Sequence, residues 1–310
     1  EEKEVIVDST VQESNMTFPT DGKLAIKIII HLLRIAKKEN IKLRRSFKKE
    51  VKELRILLRF FRHPKKITKA LGAMKRLREI AKTILRDIDR KFEENMELHN
   101  RYAEAFYLYM RVLLQQKNTP NKIYSLHEID AYAINKGKDH KGYEFGTKAS
   151  IVTTKESGII IGVAAHKTNM HDSKTLEDVL ANATQTRTTP IAEAICDRGY
   201  RGTKEVAIAN HTIVISIPST VLKKDTKEQQ EIKREKFRRR ASIEPIIGHM
   251  KSDYRMARNY LKGFVGDEIN LLLAAAAFKL KKWINIYFYA IFLRNISLSL
   301  KALGSGQQKG

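Results

Sequence analysis

A strongly basic helical segment lies between two β-rich regions, and this arrangement constrains the fold more than any other feature. The stretch from Lys23 to Lys91 holds 24 Lys or Arg residues against 6 Asp or Glu, whereas the β-branched run Val5 to Val7 precedes it. Its apolar residues recur at helical spacing, and this pattern continues to Leu113. We therefore predict a helical hairpin or small bundle over residues 23–117, with one buried stripe and a cationic exterior.

The region after this segment alternates strand and helix patterns. Tyr143 to Thr153 and Gly158 to Ala165 are rich in β-branched residues around a short turn, which predicts a hairpin. The pattern then predicts a helix, a strand, a second helix and a further strand, at Thr175–Ala183, Ile191–Cys196, Lys204–Asn210 and Thr212–Ile217. This order favours an α/β fold with a mixed sheet.

Composition indicates the kind of partner. A net charge of +24 and a pI near 9.9 favour a polyanion, nucleic acid first and an acidic membrane surface second. Lysines cut the apolar runs Ile269–Phe278 and Trp283–Leu293 to lengths well below the roughly 20 residues that a bilayer requires. We therefore expect no membrane span, and interpret these runs as helices that pack on the sheet or contact a second subunit. The single cysteine, Cys196, excludes a disulfide framework and fits a reducing cytosol.

One carboxylate stands among cations beside an apolar stripe. At about 100° per helical residue, Phe237, Arg240, Glu244 and Lys251 fall within roughly 60° of one another. A carboxylate flanked by phosphate-binding side chains is what a metal-dependent enzyme acting on nucleic acid needs. Pro245 predicts a kink or a fresh helix start close to Glu244, and the charged stretch before it, residues 221–240, is expected to be partly mobile.

Two further acids follow predicted strands. Asp8 is expected to end the first strand, and Asp197 to close the strand before a glycine-containing loop. Asp172 is a rival for the second acid, but Asp172 or Ser173 is better interpreted as the cap of the helix that follows. The nine histidines show no zinc-binding spacing.

The order Phe237, Arg240, Glu244, Lys251 resembles the Y-x2-R-x3-E-x6-K signature of bacterial DDE transposases of insertion sequences, with Phe in place of Tyr. The resemblance extends over nearly the whole chain and is closest to the insertion-sequence-five group. Further stretches that carry it are VIVDST, AICDRGYRG, NYLK and NLLLAAAAF, beginning at Val5, Ala194, Asn259 and Asn270. It implies a ribonuclease H-like mixed sheet flanked by helices, with the basic all-helical insertion after the first strand.

The resemblance also implies a mechanism. Asp8, Asp197 and Glu244 would be the catalytic acids and would hold two Mg²⁺ (or Mn²⁺) ions for in-line attack on a phosphodiester. Water would first cut a transposon end, and the freed 3′ hydroxyl would then attack target DNA. Arg240 and Lys251 would bind phosphate near the cut, and Arg198 and Arg201 would do so from the loop after Asp197. Phe237 lacks the hydroxyl donor of the family's Tyr.

The expected domains are the first strand with its loop (1–22), the helical insertion (23–117), the rest of the catalytic core with C-terminal helices (118–303) and a flexible tail (304–310). Because the chain begins at Glu1, close to a strand, we interpret it as an N-terminally truncated copy.

The expected partners are double-stranded DNA, as terminal inverted repeats and target, and a second copy in a homodimer on DNA. The expected location is the bacterial cytoplasm, with the nucleoid. Two alternatives stay open: a metal-dependent DNA nuclease on the same core without strand transfer, and a non-catalytic DNA-binding remnant of a degenerate element.

Overall fold

The chain divides into two compact units. The computed structural model describes residues 2–138, 141–185, 187–208, 211–219, 222 and 225–306. Residues 16–133 form one unit, here called the helical unit, and residues 1–15 with 134–310 form the other, here called the sheet unit. The first strand of the sheet unit is therefore separated in sequence from its partners by the entire helical unit.

The helical unit consists of amphipathic helices around one core. Its α-helices are α1 (Asp21–Lys38), α2 (Lys48–Leu57), α3 (Ile67–Phe92) and α4 (Met96–Leu114). Side-chain caps start two of them: Thr20 accepts a hydrogen bond from Lys23 N at α1, and Asn95 accepts one from Leu98 N at α4. The buried stripes of α1, α3 and α4 meet in one apolar cluster. The helical spacing read from the sequence is confirmed, and the basic residues are mainly outside this core.

The sheet unit is built on one mixed sheet. Its described strands are β1 (Glu4–Ser14), β2 (Tyr132–Lys138), β3 (Lys141–Thr154), β4 (Ile160–His166), β5 (Glu193–Ile195), β6 (Glu205–Ile208), β7 (His211–Ser216) and β8 (Arg258–Asn259). The strand order is β2-β3-β1-β5-β7-β6, with β4 also paired to β3 and β8 to β1. β1 is central: it runs antiparallel to β3 along one edge and parallel to β5 and β8 along the other.

Helices cover both faces of this sheet. Val5 and Val7 of β1 face a core shared with α5 (Leu176–Gln185), whereas Ile6 faces a second core shared with α7 (Ile243–Ser252) and α8 (Gly263–Gly306). Alternate residues of one strand therefore point into separate apolar layers. The fold class is confirmed: a curled mixed sheet flanked by helices, ribonuclease H-like, with a basic all-helical insertion after the first strand.

Two local predictions were wrong within the sheet unit. β1 extends to Ser14, so Asp8 lies within the strand, because β3 pairs with it as far as Glu13. The segment predicted as a helix from Lys204 contains strand β6, since antiparallel pairing with β7 overrides local propensity; residues 209 and 210 lie outside the described structure. The charged stretch before Glu244 contains helix α6 (Lys227–Ala241), which a capping box of Thr226 and Gln229 starts.

The C-terminal apolar runs form one helix rather than two. α8 begins at Gly263 and continues through the lysines that separate the two runs. Its first part is buried against the sheet at Leu271, Ala274 and Ala275. Its next part exposes large apolar side chains, with Trp283 76% exposed. Of the expected tail at 304–310, residues 304–306 belong to α8 and the rest lies outside the described residues.

None of the described helices combines enough length with enough apolar character to cross a membrane.

The packing of α5 on β4 depends on a glycine, which gives a test of the sheet unit. A Cβ at Gly162 would lie 2.6 Å from Ala183 Cβ and 2.8 Å from its Cα. We expect Gly162→Ala to lower the free energy of unfolding by about 1–3 kcal/mol through overpacking. Gly248→Ala is the matched control, because its Cβ would meet nothing within 4 Å in α7; it should stabilise by about 0.5–1 kcal/mol. Denaturant unfolding measures both, and equal effects would contradict the packing.

Candidate active site

Two of the three acids lie on neighbouring strands. In the parallel pairing of β1 with β5, Ile6 lies opposite Ile195, and Asp8 and Asp197 each follow two residues later. The register therefore brings both carboxylates to the same end of the pair. Asp197 comes just after β5, where its side chain accepts a hydrogen bond from Gly199 N at 2.7 Å and begins a short 3₁₀ turn. Asp8 accepts one from Ser9 N at 2.8 Å.

The third acid lies at a helix break. α6 ends at Ala241 and α7 begins at Ile243, so the predicted fresh helix start near Glu244 is confirmed. Ser242, between the helices, donates from its hydroxyl to Arg239 O at 2.6 Å. Buried residues of α7, including Ile243 and Ile247, hold the helix on the sheet face toward which Asp8 also points. Glu244 lies in the first turn of α7, and its side chain is 61% exposed.

Arg240 joins all three acids. Its Nη2 lies 3.1 Å from Asp8 Oδ2 and 3.6 Å from Asp197 Oδ2, and its Nη1 lies 2.9 Å from Glu244 Oε1. These contacts bring together residues from three segments that are far apart in sequence. Three acidic side chains around one guanidinium outnumber its single positive charge, which favours the binding of a further cation.

The pKa of Asp8 shows how strongly its surroundings disfavour the charged carboxylate. The pKa of Asp8 is raised to about 6: burial raises it most, Arg240 and the hydrogen bond from Ser9 N lower it, and the neighbouring Asp197 and Glu244 raise it. Arg240 therefore offsets only part of the penalty for a buried charge. Any cation that binds between these carboxylates would further favour the ionised form of Asp8.

The donor set can be compared with what a divalent metal requires. Carboxylate oxygens are the hard ligands that Mg²⁺ and Mn²⁺ prefer, and Mg²⁺ retains several waters, so a pair of carboxylates suffices for one ion. Among the described residues, no three Asp, Glu, His or Cys side chains are close enough together to hold one ion. The chemistry of Asp8, Asp197 and Glu244 fits such ions, with Arg240 between the acids.

A second polar cluster lies on the opposite face of β1, and no sequence pattern indicated it clearly. Ser9 Oγ donates to Asp172 Oδ1 at 2.9 Å, and Lys148 Nζ donates to the same oxygen at 2.9 Å. The prediction that Asp172 or Ser173 caps the following helix was wrong, because His171 is the cap and accepts from Ser173 N. Asp172 instead anchors the residue next to Asp8. In the sequence, the only signal for Asp172 was its position just before a helix, and that position suggested a helix cap.

The predicted phosphate-binding residues surround the acids to different extents. Arg198 and Arg201 are exposed in and after the turn that follows Asp197. Lys251 lies on α7, two helical turns beyond Glu244. Phe237 is 58% exposed on α6 and is not part of the core. Of the four predicted phosphate ligands, Arg240 forms ion pairs with all three acids.

Comparison with known proteins identifies the family. A model of the transposase DDE domain matches residues 118–280, more than half of the chain. The chain therefore belongs to the transposase DDE domain family, whose members are DNA-acting transposases of insertion sequences. The matched range includes Asp197, Arg240, Glu244 and Lys251 but not Asp8, so the placement of Asp8 depends on the geometry above. No curated protein and no solved structure matches the chain.

The raised pKa of Asp8 predicts a specific pH dependence of stability. Because the folded protein holds this proton more tightly than the unfolded chain, the free energy of unfolding should fall as pH rises from about 4 to about 6. The shift corresponds to at most about 3 kcal/mol. Asp8→Asn should remove this decrease and make the protein more stable than wild type at pH 7. Denaturant unfolding in chelator across this range measures it, and an unchanged pH slope in the variant would contradict the raised pKa.

Proposed function

We propose that this chain is a transposase that cleaves DNA strands at transposon ends and joins the freed 3′ hydroxyl to target DNA. The observation that carries the proposal is the convergence of Asp8, Asp197 and Glu244 on Arg240. Membership of the transposase DDE domain family supports it. The spacing of Phe237, Arg240, Glu244 and Lys251 further supports assignment to the insertion-sequence-five group.

Asp8, Asp197 and Glu244 would hold two Mg²⁺ or Mn²⁺ ions. When bound, such ions activate an attacking oxygen and stabilise the leaving oxygen of an in-line phosphoryl displacement. Asp8, the most buried of the three side chains and central in the sheet, gives the site a fixed position. Glu244, on a helix and largely exposed, can adjust its side chain when DNA binds. The same acids serve hydrolysis and joining, since only the attacking oxygen differs.

The remaining residues of the proposal bind DNA. Arg240 and Lys251 lie on either side of Glu244 and would bind phosphates next to the cut, with Arg198 and Arg201 on the loop after Asp197. The helical unit adds a surface with 24 basic residues in the stretch from Lys23 to Lys91, suited to phosphates and not to reading bases. The substrate would be double-stranded DNA, as terminal inverted repeats and target, on the nucleoid of a bacterial cytoplasm.

Replacing the second acid tests the active site. Asp197→Asn should abolish metal-dependent strand cleavage of a cognate transposon end, because the amide cannot serve as an anionic ligand. Binding of non-specific DNA should remain almost unchanged, because the phosphate-binding cations are intact. A gel assay of end cleavage with Mg²⁺, together with a filter-binding assay, measures both.

Asp172→Asn is the matched control, since Asp172 lies close to Asp197 but is bonded to Ser9 and Lys148. This variant should retain measurable cleavage. Full cleavage by Asp197→Asn, with loss in Asp172→Asn, would show that the second acid is misassigned. Cleavage without any joined product in a strand-transfer assay would favour a nuclease on the same core.

A homodimer on DNA is the second part of the proposal, and α8 supports it. Five aromatic residues of α8 are 61–76% exposed, namely Trp283, Tyr287, Phe288, Tyr289 and Phe292. Because each aromatic side chain can bury 150–250 Å², covering these five would bury roughly 500–800 Å². This is close to the roughly 800 Å² that each partner contributes to a stable interface. A second copy of α8 offers the same apolar surface, as an isologous contact requires.

Polar substitution of this surface tests the dimer. We expect the double variant Tyr287→Asp and Phe288→Asp to be monomeric where the wild type is dimeric, because the charges would be buried at the contact. Light scattering after size exclusion measures the mass. The exposed residue Tyr107 of α4 offers a control, and Tyr107→Asp should leave the mass unchanged. A monomeric wild type, or a double variant that stays dimeric, would refute α8 as the interface.

A further inference from the structure

A cationic cleft lies where the end of α7 meets β8. It encloses about 470 Å³ and is lined by Lys251, Ser252, Arg255, Ala257, Arg258 and Tyr260. Three of these six residues are basic and none is acidic. The cleft thus combines a high density of positive charge with one exposed aromatic ring, a pair of features found where proteins bind single-stranded nucleic acid.

The chain reverses direction at the cleft through an arginine in an unusual conformation. Arg255 has φ +60°, in the left-handed region that glycine or asparagine usually occupies at the end of a helix. Met256 N donates to Met250 O at 3.0 Å and Ala257 N donates to Lys251 O at 3.4 Å, which closes the end of the helix. Glycine would form this turn without strain. Arginine at this position strains the backbone, which lowers the stability of the fold, and it places a cation in the cleft.

Tyr260 is held firmly although its ring is exposed. The preceding residue, Asn259, is buried, donates to Asp267 Oδ1 at 2.7 Å and accepts from Leu261 N at 2.9 Å. Asp267 is in turn held by Gln12 and Thr147. Tyr260, 65% exposed, therefore projects from a backbone that is fixed on both sides. Because this backbone is already ordered, stacking a base on the ring adds no cost in backbone entropy.

The cleft is close to the acids along one helix. Lys251 is seven residues beyond Glu244 in α7, which is about 10 Å at 1.5 Å per residue. Since phosphates of a strand recur every 3.4 Å along B-DNA, this distance spans only a few nucleotides. A strand that passes the acids can therefore also enter the cleft.

We propose that this cleft binds the unpaired end of a DNA strand, a few nucleotides from the phosphate that is cut. Lys251, Arg255 and Arg258 contact its phosphates and one unstacked base lies on the ring of Tyr260. In a duplex, each base is already stacked between its neighbours, so the ring selects a strand that has been freed from its partner. The proposal rests on the proposed function only for the identity of the strand.

Binding to an overhang tests the role of the aromatic ring. Full-length protein is titrated in chelator against a labelled blunt duplex and against the same duplex with a short 3′ overhang, with fluorescence anisotropy as the readout. Wild type should prefer the overhang, and Tyr260→Leu should lose roughly tenfold in affinity for it, the effect of one stacked base. Tyr260→Phe should retain the preference, because stacking needs the ring and not the hydroxyl.

Tyr143→Leu is the matched control, since Tyr143 is a similarly exposed aromatic residue, on β3. It should bind both probes as wild type does. A wild type without preference for the overhang, or Tyr260→Leu that keeps it, would overturn the proposal. So would equal losses in Tyr260→Leu and Tyr143→Leu.

Arg255→Gly separates a binding role from a structural one. Its melting temperature should rise, because glycine adopts this backbone conformation without strain. Its affinity for the overhang should fall, and the slope of log K against log salt should decrease by about 0.7, the loss of one phosphate contact to a single strand. Unchanged affinity in this variant would remove Arg255 from the site.

These results are independent of the cleavage test. If Asp197→Asn cleaves normally while Tyr260→Leu loses the overhang preference, the assignment of the catalytic site is wrong and the binding role of the cleft is supported. If cleavage depends on Asp197 and the overhang preference is absent, only the cleft fails.

Discussion

The position of β1 in the middle of the sheet is the constraint on which the structure depends. Its eleven residues pair along one edge with β3 and along the other with β5 and then β8. Asp8 lies beyond the pairing with β5 and before the pairing with β8, so the strand presents it toward α7 at a fixed place. Ser9, one residue on, points to the other face and is bound by Asp172. The positions of the Asp8 and Ser9 side chains therefore both depend on the register of β1 in the sheet.

Arg240 offsets the repulsion between the carboxylates that this register brings close together. Bringing Asp8 and Asp197 to the same end of two parallel strands, with Glu244 above them, places like charges close together, which is unfavourable without a cation. The guanidinium has several donors in a planar fork, so one residue can reach three carboxylates. Its location in the last turn of α6 adds the favourable interaction of a cation with a helix C-terminus.

The sequence was sufficient for the fold class and for the helical spacing of the basic segment, because periodicity is a local signal. It also singled out Asp8, Asp197 and Glu244, which belong to a recognisable pattern, and their catalytic role stays a prediction. The sequence was insufficient where tertiary pairing decides the structure. β6 has a weak pattern and becomes a strand only beside β7. α8 continues across its lysines, and one of them, Lys282, donates to the carbonyls of Ser157 and Gly158 in the turn between β3 and β4. Asp172 shows the same limit, since its partner Ser9 lies far away in sequence.

The order of synthesis leaves β1 without its neighbours in the sheet during much of translation. Its neighbours in the sheet are synthesised only after the whole helical unit, well after β1 itself. Domains generally fold as units during synthesis, and the helical unit has its own core. For much of translation, the apolar run around Val5 is thus an unpaired strand awaiting partners, a stage at which chaperones would shield it and at which nascent chains are most exposed to aggregation.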